Sequence, residues 1–314
     1  MRKSIKVLLS VALVSAVLTG CGTKPSNEEN DSNTSPKVEE NQTKKGNNSE
    51  PAYTEESITI KNGDYDIPAI VTLPTDIEDK NVPLVIMCHG TASNKDEAGD
   101  GYKMYAPKLA ESGIASIRFD FIGTGDSKVD YSEYNFTTAV NDVTRVIEYA
   151  HNLKSIDNKN IGIMGWSQGG SIAMLAAGEN SDIKSIVTWA GAENDCLLDL
   201  GNYEEAKANG YAVVEFDWRD SLNFGLQWHE DVRNIDILEA LKKSKAPILA
   251  LNGSDDDVVP PKTTDLIIEA SNNETSKESI IDGADHTFNI FTGDLTKYNE
   301  LCDQTTKWFL DTLK

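Results

Sequence analysis

The chain has 314 residues, 39% of them apolar, with 29 Lys plus Arg against 51 Asp plus Glu, a formal charge of −22. So strong an acidic excess excludes a phosphate-backbone binder, which needs a basic face, and the length allows a sizeable core without disulfides. The four cysteines, Cys21, Cys88, Cys196 and Cys302, lie far apart with no CxxC pair and no histidine at zinc-ligand spacing, so neither a disulfide framework nor a metal or other cofactor is expected.

Residues 1–20 differ in kind from the rest of the chain. Arg2, Lys3 and Lys6 precede an apolar run over residues 7–17 that is too short to span a bilayer, which needs about 20 residues, and suits a signal peptide. Leu18-Thr19-Gly20-Cys21 then resembles the bacterial lipobox. The resemblance implies cleavage before Cys21 and lipid attachment to it, hence a membrane-anchored protein facing away from the cytoplasm. Losing three positive charges would move the formal charge from −22 to −25, so acyl chains rather than electrostatics would hold it. Residues 21–52, rich in Asn, Ser, Thr, Lys and Glu with Pro25, Pro36 and Pro51, cannot bury enough apolar surface to offset ordering and predict a flexible tether with a mean reach of about 30 Å.

The remaining segment, 53–314, reads as one domain. Runs at 57–61 and 68–73 flank the turn residues Asn62-Gly63-Asp64 and predict a hairpin. Continuous apolar runs at 83–88, 114–119, 161–164, 183–189 and 247–251, with a weaker one at 279–281, predict strands buried on both faces. Helical patterns fall between or after them at 102–112, 137–152, 170–177, 261–270 and 295–313. The alternation gives an α/β fold, a doubly wound and mostly parallel sheet, with residues 193–245 as a mostly helical insertion over one end. Within that insertion Tyr211, Phe216, Trp218, Phe224 and Trp228 predict a local core that seats it, with some rings available to line a pocket.

The run at 161–164 leads into Gly165-Trp166-Ser167-Gln168-Gly169-Gly170. A serine on a tight strand-to-helix turn needs small residues two positions to either side, and Gly165 and Gly169 meet that need, which makes Ser167 the candidate nucleophile. Serine requires a base. Of the four histidines, His151 sits in a helical pattern, His229 beside Glu230 and Asp231 reads as a surface residue, and His89 follows a strand directly; His286, on the loop after the last strand, remains. The acid that orients it should come from Asp255, Asp256 or Asp257 after the strand at 247–251, one buried and two facing water. Spacing alone does not choose among them.

Four motifs in order, His89-Gly90-Thr91 with Ser93-Asn94-Lys95-Asp96-Glu97, Asp120-Phe121-Ile122-Gly123-Thr124-Gly125-Asp126-Ser127, Gly165 to Gly170, and Gly253 to Pro260 with His286, resemble the α/β-hydrolase superfamily. The likeness is nearest to cinnamoyl/feruloyl-type esterases and to serine-aminopeptidase-like and dienelactone-hydrolase-like relatives. It implies Asp256 as the acid, four positions before the proline, and an oxyanion hole from the backbone N–H groups of Thr91 and Gln168. His89 would then shape its loop without titrating, and Asp126-Ser127 would serve a turn. Trp166 and Thr91 depart from the residues common in such relatives, histidine and an apolar side chain, and are expected to alter the acyl pocket. The function implied is a serine hydrolase cleaving a small-molecule carboxylic ester, with no nucleic acid partner; a peptidase or thioesterase on the same triad, or a non-catalytic binding lipoprotein, are the alternatives.

Overall fold

The computed structural model describes residues 52–75 and 81–314. The expected signal, the lipid site at Cys21 and nearly all of the tether lie outside these residues. The described chain runs β1 (Tyr53–Asn62), β2 (Tyr65–Pro74), β3 (Val82–Cys88), α1 (Gly101–Glu111), β4 (Ala115–Phe119), α2 (Phe136–Ala150), β5 (Ile156–Trp166), α3 (Gln168–Glu179) and β6 (Ile183–Trp189). It continues through α4 (Asn194–Leu197), α5 (Tyr203–Asn209), β7 (Tyr211–Val214), β8 (Leu222–Gly225), α6 (Leu226–Asn234), α7 (Ile237–Leu241), β9 (Ile248–Gly253), α8 (Thr263–Ala270), β10 (Lys277–Ile281) and α9 (Thr296–Thr312).

Eight strands form one sheet in the order β1-β2-β4-β3-β5-β6-β9-β10. The β1–β2 hairpin turns at Gly63, whose φ of 58° suits glycine. β2 joins β4 antiparallel, and every pairing from β4 to β10 is parallel. The inner strands are apolar on both faces because helices cover both. Helices α1 and α9 bury Tyr105, Leu109, Leu301 and Phe309 on one side, while α2, α3 and α7 bury Val143, Ile147, Ile172 and Leu241 on the other. Helix α2 shows how locally this is specified: Asn135 and Thr138 form a capping box, and apolar residues at 136, 139, 140, 143, 146, 147 and 150 keep one stripe turned inward. β4 and β5 leave β3 on opposite sides, so the strand order reverses at β3. The crevice beyond the carboxyl ends of β3 and β5 is therefore where a doubly wound sheet binds its ligand.

The insertion carries helices α4 to α7 and, in addition, the antiparallel hairpin β7–β8. Within it, Asn194 donates to the Val232 and Ile235 carbonyls at 2.8 and 2.6 Å, and side chains fasten it to the main body. Asp231 accepts from the Thr137 N–H at 3.0 Å, placing a carboxylate at the start of α2. Arg219, at the hairpin tip, donates to the Ala92 carbonyl on the main body.

His229 corrects the surface role expected from its acidic neighbours. Its ring is fully buried beside Trp228 and Tyr203, at centroid distances of 5.0 and 6.2 Å, and neither ring nitrogen has a partner among the described residues. Burial, aided by Arg233 and opposed by Glu230, lowers its pKa from 6.5 to about 4. The folded chain thus keeps a neutral imidazole that the unfolded chain protonates below its ordinary value. Its contribution to stability is complete above pH 6.5 and is lost as the pH falls toward 4. His229→Phe, which preserves a planar ring and removes two orphaned nitrogens, is expected to match or exceed wild-type stability at neutral pH and to lose less on acidification. Urea midpoints between about pH 7.5 and about pH 4.5 test this, and parallel slopes for the two proteins would refute it.

Candidate active site

Ser167 stands between β5 and α3 with φ 54° and ψ −122°, outside the comfortable range of any L residue. The main chain clamps it there: the Ser167 N–H donates to the Trp189 carbonyl at 2.8 Å, and the Ser167 carbonyl accepts from Gly170 and Ala192 at 2.9 and 3.1 Å. The flanking glycines are required by contact. A Cβ on Gly165 would lie 2.0 Å from the Gly169 carbonyl oxygen, and one on Gly169 would lie 2.0 Å from that of Cys88. The strand end, the helix start and the end of β3 therefore touch through backbone alone.

His286 lies on the loop after β10, and its Nδ1–H donates to Asp256 Oδ2 at 2.8 Å. The Asp256 side chain is fully buried, while Asp255 and Asp257 are exposed. Its other oxygen, Oδ1, accepts from the Val258 and Val259 N–H groups at 2.9 and 2.8 Å. The two loops are stitched together, since the Asp255 N–H donates to the Ala284 carbonyl at 3.0 Å and the Gly283 N–H to Ser254 Oγ at 2.7 Å. Asp285 Oδ1 then accepts from both Thr287 and Asn289 N–H groups, which fixes the turn that carries the imidazole.

Ser167, His286 and Thr91 line one cleft of about 530 Å³. With Nδ1 engaged by Asp256, Nε2 is the imidazole nitrogen left for proton exchange with a serine. Thr91 follows β3, and Gln168 is the first residue of α3, so its N–H has no intrahelical partner. The Thr91 hydroxyl donates to Gln168 Oε1 at 2.5 Å and joins the two segments. His89 is buried: Nδ1–H donates to the Gly90 carbonyl at 2.9 Å, and Nε2 accepts from the Phe121 N–H at 3.4 Å with Thr124 Oγ1 at 2.9 Å. Burial brings its pKa down to about 4, helped by Lys95 and opposed by Asp120 and the Gly90 carbonyl, so the ring serves as a neutral brace. Asp126 pairs with Lys95 at 2.7 Å and so ties its turn to the loop after β3, while Ser127 Oγ accepts from the Gly123 N–H at 3.0 Å within the turn itself.

Most of the cleft wall is apolar. Leu197, Leu200, Phe216 and Trp218 come from the insertion, Val258 and Val259 from the acid loop, and Phe291 from beyond His286. The insertion's aromatic set is thus divided. Phe224 and Trp228 form its core, whereas Phe216 and Trp218 face the cleft.

Residues 103–314 match the prolyl oligopeptidase family. The chain belongs to that family. The family is of the α/β-hydrolase type, in agreement with the resemblance in the chain's motifs. Among curated relatives, an uncharacterized 31.7 kDa protein from the traX-finO intergenic region of Escherichia coli is 27% identical over 150 residues, 47% of this chain and 51% of the relative. The acetyl esterase Axe7A of Xylanibacter ruminicola is 26% identical over 123 residues, 39% of this chain and 26% of the esterase. The chain spans about half the length of the first of these. Among solved structures, Est1E of Butyrivibrio proteoclasticus with ferulic acid bound superposes with a TM-score of 0.67 at 19% identity, covering 81% of this chain and 98% of that one. Dienelactone hydrolase of Anabaena variabilis gives 0.60 at 16%, covering 84% and 100%. Both share the fold of this prolyl oligopeptidase family member.

Two residues at the site carry more than the sequence suggested. Glu97 lines the cleft with a buried carboxylate. Trp166, expected to reshape the acyl pocket, also donates from Nε1 to the His286 carbonyl at 3.0 Å while its ring packs edge-on to Trp189 and Phe288. Trp166→Phe keeps most of the ring contact and unties the histidine loop. It is expected to lower stability by about 1 kcal/mol and turnover several-fold, read from urea unfolding and initial rates; unchanged values would show that this bond positions nothing.

Proposed function

We propose that this protein is a serine hydrolase of carboxylic esters that works through an acyl-enzyme. The observation carrying this reading is the meeting, in one apolar cleft, of a serine on a strained elbow with a histidine held by a buried carboxylate. Ser167 Oγ attacks the ester carbonyl while His286 Nε2 takes its proton. Asp256 fixes the imidazole tautomer and stabilises the charge it acquires. The Thr91 and Gln168 N–H groups receive the oxyanion of the tetrahedral intermediate, where a lost donor costs about 3 kcal/mol. Collapse expels the alcohol, protonated by His286, and water then repeats the sequence to release the acid.

The wall of Leu197, Phe216, Trp218 and Phe291 favours an apolar or flat acyl group. Axe7A's name and the ferulic acid held by Est1E support the ester reading. The family name keeps a peptidase in view, since the same triad cleaves amides. We further propose, on the Leu18-Thr19-Gly20-Cys21 motif, that lipid on Cys21 holds the enzyme at a bacterial membrane. Incorporation of an alkyne-tagged palmitate into the wild-type chain, but not into Cys21→Ala, is the test of that part.

Catalysis is tested with short-chain p-nitrophenyl esters, hydroxycinnamoyl esters, a thioester and a prolyl p-nitroanilide, alongside fluorophosphonate labelling. Ester turnover with covalent labelling is expected. A folded protein that takes no label and turns over nothing would sink the proposal, and preferential anilide cleavage would make it a peptidase.

A further inference from the structure

The loop between β3 and α1 holds a carboxylate that the proposed chemistry leaves without a task. Glu97 is 8% exposed, yet its oxygens are met by the main chain: Oε2 accepts from the Gly90 N–H at 2.5 Å and Oε1 from the Ala98 N–H at 2.9 Å. Its backbone, at φ 63° and ψ 178°, occupies a region that only glycine enters without strain. Burial pushes its carboxyl up, against hydrogen bonds from Ser93, Gly90 and Ala98 and the field of His286. A glycine would be relieved of both burdens and a small neutral residue of the buried charge, so the contact with Gly90 is the feature that needs explaining.

Gly90 is gripped at both ends. Its N–H goes to Glu97, and its carbonyl accepts from His89 Nδ1–H at 2.9 Å and from the Ser93 N–H at 3.3 Å. The Gly90 carbonyl and the Thr91 N–H belong to one planar trans peptide and point in opposite directions. Anchoring that carbonyl on His89 therefore turns the Thr91 N–H the other way. The grip lies against the nucleophile, because a Cβ on Gly90 would sit 3.1 Å from the Trp166 carbonyl oxygen and 3.4 Å from Ser167 Cβ. Neither peptide flanking Gly90 can rotate without breaking a bond to Glu97 or to His89.

We infer that Glu97 is a positioning residue for the oxyanion donor, holding Gly90 so that the Thr91 N–H stays aimed at the oxygen of the reacting carbonyl. The inference rests on the assignment of Ser167 as nucleophile. A role in binding a substrate cation fits less well, since both carboxylate oxygens already accept main-chain hydrogen bonds.

The test uses E97A and E97Q. It measures kcat and KM per folded molecule on the p-nitrophenyl ester that the wild type cleaves best, with inhibition by phenylboronic acid, whose tetrahedral serine adduct places an oxygen in the oxyanion position. E97A is expected to lower kcat about 100-fold, with KM within about threefold, and to weaken the boronate by a similar factor. E97Q, which keeps one acceptor for Gly90, is expected to recover about tenfold of that loss. If E97A does not fold, E97Q decides, through a fall of about tenfold in kcat and boronate affinity at unchanged KM. A folded variant with wild-type kcat, or one altered in KM alone, overturns the inference while the serine mechanism stands. A wild-type protein that neither cleaves the ester nor binds the boronate overturns both.

Discussion

Ser167→Ala is expected to lower kcat by on the order of 10⁶-fold and to abolish fluorophosphonate labelling, with the fold intact. The variant removes one oxygen from a residue whose backbone is fixed by bonds to Trp189, Gly170 and Ala192, so the elbow and the cleft should persist. What remains is rate enhancement from binding and from the oxyanion N–H groups, about 10³–10⁴-fold over water. Active-site titration and initial rates against the preferred ester read this directly. Residual labelling at wild-type stoichiometry would place the nucleophile elsewhere and end the assignment of Ser167.

Asp256→Asn should produce the next largest loss, about 10⁴-fold in kcat near neutral pH, with little change in KM. The substitution is nearly isosteric, and its effect is set by the two sides of the carboxylate. Oδ1 accepts from Val258 and Val259, so the carboxamide oxygen will stay on that side. The amide NH₂ must then face His286 Nδ1, where it needs an acceptor. The imidazole is driven to the tautomer with its proton on Nε2, which cannot receive the serine proton. Asp255→Asn and Asp257→Asn, at exposed positions, serve as controls and should leave kcat nearly unchanged. A large loss in either control, or none in Asp256→Asn, would move the acid within the loop.

Much of the architecture was legible because the signals were long and physically redundant. The continuous apolar runs that became β3, β5, β6 and β9 had to be buried on both faces, and the helical pattern over 137–152 became α2. The β7–β8 hairpin was not legible. Each strand has four residues with little alternation to read, and the turn between them contains Trp218 and Arg219 rather than glycine. His229 was misread because neighbours in sequence point in different directions on a helix, so flanking carboxylates say little about its own face.

At the site, strand ends located Ser167 and His286, and the structure brings both into one cleft with Asp256 beneath. The choice among three adjacent aspartates had no periodic signature. It depends on which carboxylate the loop turns inward, a matter of tertiary burial. Glu97 was visible only as a letter in a motif, seven positions after Gly90, because nothing local predicts that the loop folds its carboxylate back onto that amide.

The contact between Gly169 and the end of β3 also bears on how this chain tolerates substitution. Because no side chain fits between the Cys88 carbonyl and the start of α3, the segments bearing Gln168 and Thr91 are spaced by main-chain contact, which substitution elsewhere cannot easily widen or narrow. The cleft wall, in contrast, is assembled from exchangeable side chains such as Leu197, Leu200, Phe216 and Phe291. Substitution in the wall can therefore redraw the outline of the cleft while the spacing between the segments bearing Gln168 and Thr91 is kept.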